Sequence, residues 1–128
     1  MKITDEGFFL YSSKFGENSE ILYVLTKNYG LIKGLSKTPS KKKTNLINLD
    51  SIRVVWSAKS RDALGYISFE QLKSNNFDNY LFTILKASAS ELCVKFLPLW
   101  ENNINIYNDV FNLWYIASSD KFFLIGKY

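Results

Sequence analysis

The segment SIRVVWSA, residues 51–58, alternates between a fully apolar face and a mixed one. In an extended chain Ile52, Val54 and Trp56 lie on one side, and Arg53 lies on the other. A period of two predicts a β-strand that is buried on one face. Because Trp56 shares its face with two aliphatic side chains, we expect its ring to lie in the core and not on a binding surface.

A further strand follows this segment along the chain. Residues 59–62, Lys-Ser-Arg-Asp, form a polar turn, and residues 64–72 alternate again. Ile67 lies on one face of this second segment and Tyr66 on the other. A tyrosine opposite the apolar face is a candidate for an exposed ring.

Three apolar runs precede the segment at 51–58, and turn residues separate them. The runs are residues 8–11, 21–26 and 31–37. Their apolar character is nearly continuous, as in strands of a small barrel that is covered on both sides. Gly34 inside the third run predicts a bulge or a sharp bend. Five strands in about 70 residues are typical of an OB-type barrel.

The pattern becomes helical after the fifth strand. Asp78 is a predicted N-cap, and Pro98 marks the end of the first helix. The two apolar stripes consist of Leu81, Ile84, Leu85, Ser88, Leu92 and Phe96, and of Ile104, Tyr107, Phe111 and Trp114. We therefore predict an α+β chain, with a five-stranded OB-fold β-barrel at residues 1–74 and a partial α-helical domain at 75–128.

Positive charge is concentrated in the first half of the chain. Residues 1–61 hold 11 Lys and Arg against 5 Asp and Glu, although the whole chain has a net charge of only +4. No acidic residue occurs between Glu20 and Asp50, and a polar segment at 38–45, predicted to be a long exposed loop, carries three lysines in a row. Such asymmetry indicates a polyanionic partner. The alternative is a solvated surface of biased composition.

The composition excludes several classes of function. Cys93 is the only cysteine and there is no histidine, which removes Cys/His zinc sites, Ser-His-Asp triads and Cys-His dyads. Residues 30–34, GLIKG, lack the spacing of a phosphate-binding P-loop. We expect no enzymatic activity, no metal and no cofactor. We expect Cys93 to be buried and inert. No apolar run is long enough to span a bilayer, so a cytoplasmic protein is predicted.

The first 72 residues resemble the N-terminal domain of RecO, a bacterial family of recombination and DNA-repair proteins. The resemblance is carried by an ordered set of turn and strand residues. They are Glu6-Gly7, Gly16-Glu17, Ile21, Leu25-Thr26, Gly30-Leu31-Ile32, Gly34, a lysine-rich loop, Leu64-Gly65 and Glu70–Leu72. The helices from about residue 77 resemble the start of the helical domain of that family.

The resemblance implies a recombination mediator without catalytic activity. Its members bind single- and double-stranded DNA, anneal strands, and help the recombinase to replace single-strand-binding protein after DNA damage. RecR and single-strand-binding protein are the implied partners, and the nucleoid is the implied location. Members are about twice as long as this chain, and the four-cysteine zinc site that many carry lies beyond its end.

We predict the DNA contacts from charge and aromatic character. Lysine ammonium groups neutralise phosphates and release counterions, and exposed rings stack on bases. The candidate phosphate contacts are Lys33, Lys37, Lys41, Lys42, Lys43, Arg53, Lys59 and Arg61. The candidate stacking residues are Tyr29 and Tyr66.

Two other functions remain open at this stage. The barrel could be a protein-interaction module that binds the acidic tail of a partner. A small hydrolase that uses lysine or carboxylate groups is disfavoured by the missing histidines.

Overall fold

The computed structural model describes residues 1–37, 49–73, 80–102 and 104–118. Five strands are followed by two helices. They are β1 (Lys2–Phe15), β2 (Ser19–Thr26), β3 (Gly30–Lys37), β4 (Ser51–Ser57), β5 (Gly65–Lys73), α1 (Tyr80–Phe96) and α2 (Ile104–Ser118). The predicted exposed loop at 38–45, the predicted cap at Asp78 and the apolar residues 122–128 lie outside the described residues.

The strands close into a barrel in the order β1-β2-β3-β5-β4. Neighbouring strands are antiparallel except β3 and β5, which are parallel. The long strand β1 pairs with β2 on one side and with β4 on the other, which closes the sheet on itself. A closed five-stranded barrel followed by helices confirms the predicted OB-fold and the α+β class.

The interior of the barrel is filled by the inward side chains of all five strands. Trp56 is fully buried there, as its alternation pattern predicted. Its indole Nε1 donates a hydrogen bond of 3.1 Å to the carbonyl oxygen of Lys33. The inner core consists of Ile3, Phe9, Leu22, Val24, Ile32, Ile52, Val54, Trp56 and Ile67.

A second core lies between the barrel and the helices. Phe8, Leu10 and Leu25 belong to it, and the ring of Phe8 lies 5.3 Å from the ring of Tyr107 on α2. Since Phe9 points into the barrel while its neighbours face the helices, three consecutive residues are buried. This two-sided burial confirms the explanation for the continuous apolar character of the first strands.

Helix α1 packs on the barrel through a face that differs from its apolar stripe. Lys86, Ser90 and Cys93 are buried, and their spacing of four and three residues places them on one side of the helix. The members of the predicted stripe from Ile84 onward are exposed, and Leu92 and Phe96 are the most accessible of them. The apolar stripe therefore does not identify the face that contacts the barrel.

One local prediction about the strands was wrong, and a second was wrong in one of its two alternatives. The first strand begins at Lys2, several residues before the apolar run at 8–11. Gly34 is not a bulge, because β3 keeps a regular register with β2, and the alternative of a sharp bend stays a prediction. Its missing side chain serves close packing, since a Cβ at this position would lie 2.7 Å from Cγ1 of Ile67. The irregularities lie instead in β1, after Phe9, and at the start of β4.

The boundary between the two domains stays a prediction. Strand β5 ends at Lys73 and α1 begins at Tyr80, close to the proposed division at 74 and 75. The helices nevertheless share the second core with the barrel. In the described part of the chain, neither helix is long and apolar enough to cross a membrane.

The thiol of Cys93 is expected to react slowly with a soluble thiol reagent. It is buried in the second core, and burial raises the pKa of the thiol, so little reactive thiolate forms at neutral pH. We expect labelling at least about tenfold slower in the folded protein than in urea, measured by absorbance of the released chromophore. Equal rates in both conditions would contradict the burial of this side chain.

Candidate nucleic-acid interface

The outer surface of the barrel has a covered face and an open face. Helices α1 and α2 cover the outward side chains of Phe8, Leu10, Leu25 and Leu31. The outward residues of β4, β5 and the first part of β1 belong to neither core. Glu6 marks the border with the covered face, because its charge acts on Tyr107 of α2. This open face is the part of the described barrel that offers a large ligand an extended surface.

Strand pairing arranges the outward side chains of the open face in three rows across β1, β4 and β5. Each row contains one residue from each strand, in register. The rows are Lys2–Ser57–Tyr66, Thr4–Val55–Ser68 and Glu6–Arg53–Glu70. We call them the lysine–tyrosine row, the neutral row and the acidic row.

A groove of about 580 Å³ lies beside the lysine–tyrosine row. The parallel ladder between β3 and β5 consists of two pairs, Gly34 with Gly65 and Leu35 with Tyr66. Beyond this short ladder the two strands form opposite walls of the groove. Lys2 and Lys37 both line it, together with Tyr66. Two positive side chains and an aromatic ring therefore share one concave surface.

The ring of Tyr66 is the most exposed aromatic side chain of β5. It is 58% exposed, and it follows Gly65, which lies against the indole of Trp56. A Cβ on Gly65 would lie 2.4 Å from Cε2 of Trp56, so only glycine permits this approach. The buried indole thus fixes the backbone that presents Tyr66, which leaves its ring free to stack on a planar group.

Lys59 adds a third positive charge next to this ring. A shallow depression adjoins the groove and is lined by Lys2, Lys59 and Tyr66. Lys59 itself is exposed in the loop between β4 and β5. Of the ten predicted contacts, the structure therefore brings together Lys37, Lys59 and Tyr66.

Arg53 occupies a different environment on the same face. Its guanidinium lies 3.4 Å from a carboxylate oxygen of Glu6 and 3.9 Å from one of Glu70. All three side chains are about half exposed or more, so these ion pairs contribute little to stability. Two carboxylates around one guanidinium nevertheless leave the acidic row with an excess of negative charge.

Arg61 and Tyr29 belong to a cluster at one end of the barrel. Trp100, which follows α1, packs edge-to-face against Trp56 with 4.6 Å between ring centroids, and Tyr29 contacts Trp100 edge-on at 6.3 Å. The guanidinium carbon of Arg61 lies 5.4 Å from the centre of the Trp100 ring. Tyr29 is consequently half-buried, and neither residue lines the groove.

The remaining predicted contacts are four lysines. Lys33 is half-buried on β3, next to Tyr23 of β2, and lies outside the groove. Lys41, Lys42 and Lys43 lie outside the described residues, although their segment follows Lys37 directly in the sequence. Their contact with DNA stays a prediction.

Sequence reasoning missed Lys2, which the structure places in the groove. Lys2, Thr4 and Glu6 alternate with the buried Ile3 and Asp5, so a period of two is present from the start of the chain. This alternation is not visible in the hydropathy of the sequence, because Asp5 is acidic and yet faces inward.

A network of hydrogen bonds explains why Asp5 is buried. Its carboxylate accepts hydrogen bonds from the backbone N–H of Glu6 at 2.8 Å and of Asn28 at 2.8 Å. The side-chain amide of Asn28 donates a third, at 3.0 Å. The acid therefore holds the turn between β2 and β3, which a hydropathy pattern does not reveal. Within the described ranges, no three acidic or cysteine side chains come together as a metal site would require.

Comparison with known proteins places the chain in a family. The family model described as recombination protein O, N-terminal, matches residues 1–75. The DNA repair protein RecO of Ehrlichia chaffeensis is 31% identical over 122 residues, which cover 87% of this chain and 48% of that protein. The RecO proteins of Wolbachia pipientis from Culex pipiens and of Orientia tsutsugamushi are 30% and 29% identical, and cover 85% and 84% of this chain.

The matched part of these proteins is limited. The chain spans 46% of the length of the Wolbachia protein and 51% of the Orientia protein, so it corresponds to about half of each curated relative. The family model covers the whole barrel, including every strand that forms the open face. The barrel and its sequence thus show that this chain belongs to the family of recombination protein O, the RecO family of DNA repair proteins.

Proposed function

We propose that this chain binds DNA on the open face of its barrel, as the DNA-holding part of a recombination mediator that has no catalytic activity. The observation that carries the proposal is the groove in which Lys2, Lys37 and the exposed Tyr66 meet, with Lys59 beside it. Ammonium groups hold phosphates without reading sequence, and the ring stacks on a base. Under this proposal the chain binds both single- and double-stranded DNA.

The same groove supports strand annealing. When lysines neutralise the phosphates of two complementary strands, the mutual repulsion of the strands falls, and base pairing then supplies the driving force. Annealing of this kind needs no acid, base or nucleophile. We propose that the chain acts in DNA repair by annealing strands and by helping the recombinase to replace single-strand-binding protein, with RecR and single-strand-binding protein as partners at the nucleoid.

The names of the relatives support this proposal. Several proteins at about 30% identity carry the name DNA repair protein RecO. The predicted loop contacts Lys41, Lys42 and Lys43 extend the proposal, because β3 leads from the groove directly into their segment.

Removing two groove lysines is expected to weaken single-strand binding roughly tenfold at about 50 mM salt. The variant is Lys2→Ala/Lys37→Ala, and the slope of log affinity against log salt should fall by about 1.4, or about 0.7 for each lost phosphate contact. Fluorescence anisotropy of a labelled oligonucleotide at several salt concentrations measures both quantities. Lys41→Ala/Lys42→Ala/Lys43→Ala tests the loop in the same way, with a slope change of up to about 2.

The matched control is Lys27→Ala/Lys95→Ala, which removes the same charge from two exposed positions outside the groove. Equal loss of affinity in the control and in the groove variant would contradict a site in the groove. A shallow salt slope in the unmodified protein would favour the alternative, a module that binds an acidic partner tail through mainly apolar contacts.

A nuclease assay tests the proposed lack of catalytic activity. We expect oligonucleotides to remain intact after incubation with the protein and magnesium.

A further inference from the structure

The open face carries charges of opposite sign at its two ends. Lys2 and Tyr66 stand at one end, beside the groove that Lys37 also lines. At the other end, Glu6 and Glu70 flank Arg53. The neutral row, which holds Thr4, Val55 and Ser68, separates the two ends. A polyanion on this face is therefore attracted at one edge and repelled at the other.

The spacing of the rows follows from strand geometry. The lysine–tyrosine row and the acidic row are four residues apart along each strand, which corresponds to about 13 Å. The neutral row lies between them, at about 7 Å from each. Opposite charges on one rigid sheet thus lie at a separation close to the width of a DNA groove.

We propose that the acidic row makes this face selective for single-stranded over double-stranded DNA, an inference that rests on the DNA-binding function proposed above. A single strand can place its only backbone along Lys2, Tyr66 and Lys37. A duplex that places one backbone there carries its second backbone on the far side of a DNA groove. The major groove is about 12 Å wide and the minor groove is about 6 Å wide. The second backbone then lies over the acidic row or next to it.

The exposed ring of Tyr66 favours the same selectivity. A base can stack on an aromatic side chain only when it is neither stacked on a neighbouring base nor paired with the other strand. A single strand offers such a base at every nucleotide, whereas an intact duplex offers none except at its ends. Attraction to an unpaired base at one edge and repulsion of a second backbone at the other therefore act in the same direction.

The repulsion is expected to be moderate and sensitive to salt. All members of the acidic row are exposed, and salt screens exposed charges over a Debye length of about 10 Å at 0.1 M and about 30 Å at 0.01 M. A unit charge about 10 Å from a phosphate changes the affinity by about twofold in water of low ionic strength. Neutralising two carboxylates should therefore change duplex affinity by about three- to fivefold at about 0.02 M salt.

The experiment compares Glu6→Gln/Glu70→Gln with the unmodified protein on a labelled single strand and on the duplex of the same sequence. We expect the affinity for the duplex to rise by about three- to fivefold at about 0.02 M salt, and the affinity for the single strand by less than about twofold. The control, Glu91→Gln/Asp109→Asn, changes the same charge at exposed positions on the helices. It should shift both affinities by the same small factor.

A second variant separates repulsion from the release of Arg53 for phosphate contact. Arg53→Gln leaves both carboxylates unneutralised, so we expect it to weaken duplex binding more than single-strand binding. An equal change on both DNAs, in this variant and in Glu6→Gln/Glu70→Gln, would overturn the inference while the dependence on the groove lysines stands. Loss of all lysine-dependent binding would instead show that the proposed function itself is wrong.

Discussion

Replacing Trp56 by alanine is expected to lower the free energy of unfolding by about 3–5 kcal/mol. The indole is fully buried at the centre of the inner core and contacts Gly65 and Trp100. Its removal leaves a cavity and also leaves the carbonyl of Lys33 without the indole hydrogen bond. Urea denaturation followed by far-ultraviolet circular dichroism measures the loss as a lower midpoint.

Trp56→Phe is the control for this prediction. A phenyl ring keeps most of the contact with Gly65 but lacks the N–H that bonds to Lys33, so we expect a loss of only about 1–2 kcal/mol. A similar loss in both variants would mean that the hydrogen bond, and not the volume of the ring, dominates. A loss below about 1 kcal/mol for Trp56→Ala would contradict its position in the core.

Replacing Asp50 by alanine is expected to destabilise the protein by about 3–5 kcal/mol at neutral pH. Asp50 and Lys86 are both buried where α1 meets the barrel, and the side-chain amide of Gln71 donates a 3.1 Å hydrogen bond to Asp50. Burial lowers the pKa of Lys86, and the negative charge of Asp50 opposes that shift. Without Asp50 the buried ammonium loses this attraction.

The pH dependence of the stability lost in Asp50→Ala separates the effect of charge from the effect of the smaller side chain. Because the pKa of Lys86 is lower in the folded protein than its ordinary value of 10.5, the unfolded chain binds more protons between those two pKa values. Stability from this group therefore rises with pH in that interval. Because Asp50 raises the pKa of Lys86, its removal lowers that pKa further, so in Asp50→Ala the rise begins at a lower pH and the deficit should shrink as pH approaches 10. Asp50→Leu/Lys86→Leu, which removes both charges, should recover most of the stability. A deficit that stays constant up to pH 10 would contradict a charged Lys86.

The strands could be predicted from sequence more completely than the helix packing. Trp56 was placed correctly because two aliphatic neighbours share its face and only one side of β4 is fully buried. The contact face of α1 could not be found in this way, because Lys86 and Ser90 are polar and lie on the buried side while Leu92 and Phe96 are exposed. A buried lysine is tolerated only next to a compensating charge, and Asp50 lies far away in the sequence.

The sequence indicated the types of residue in the candidate site, but not which of them lie together. The basic first half indicated lysines on the barrel, and of the predicted contacts Lys37, Lys59 and Tyr66 come together, while their contact with DNA stays a prediction. The position of Arg61 could not be predicted from the strand pattern, because its partner, Trp100, follows a helix that begins after the barrel. The pairing of Arg53 with acids from two other strands likewise depends on register, which a single sequence does not fix.

The order of the strands has a consequence for how the chain reaches its native state. The barrel closes only when β1 pairs with β4, and Trp100 adds a backbone hydrogen bond of 2.9 Å to Leu31 from beyond α1. These pairings join segments that are distant along the polypeptide, so loop-closure entropy must be overcome before they stabilise anything. Folding should accordingly take milliseconds to seconds, with the local hairpins of β1, β2 and β3 forming ahead of ring closure.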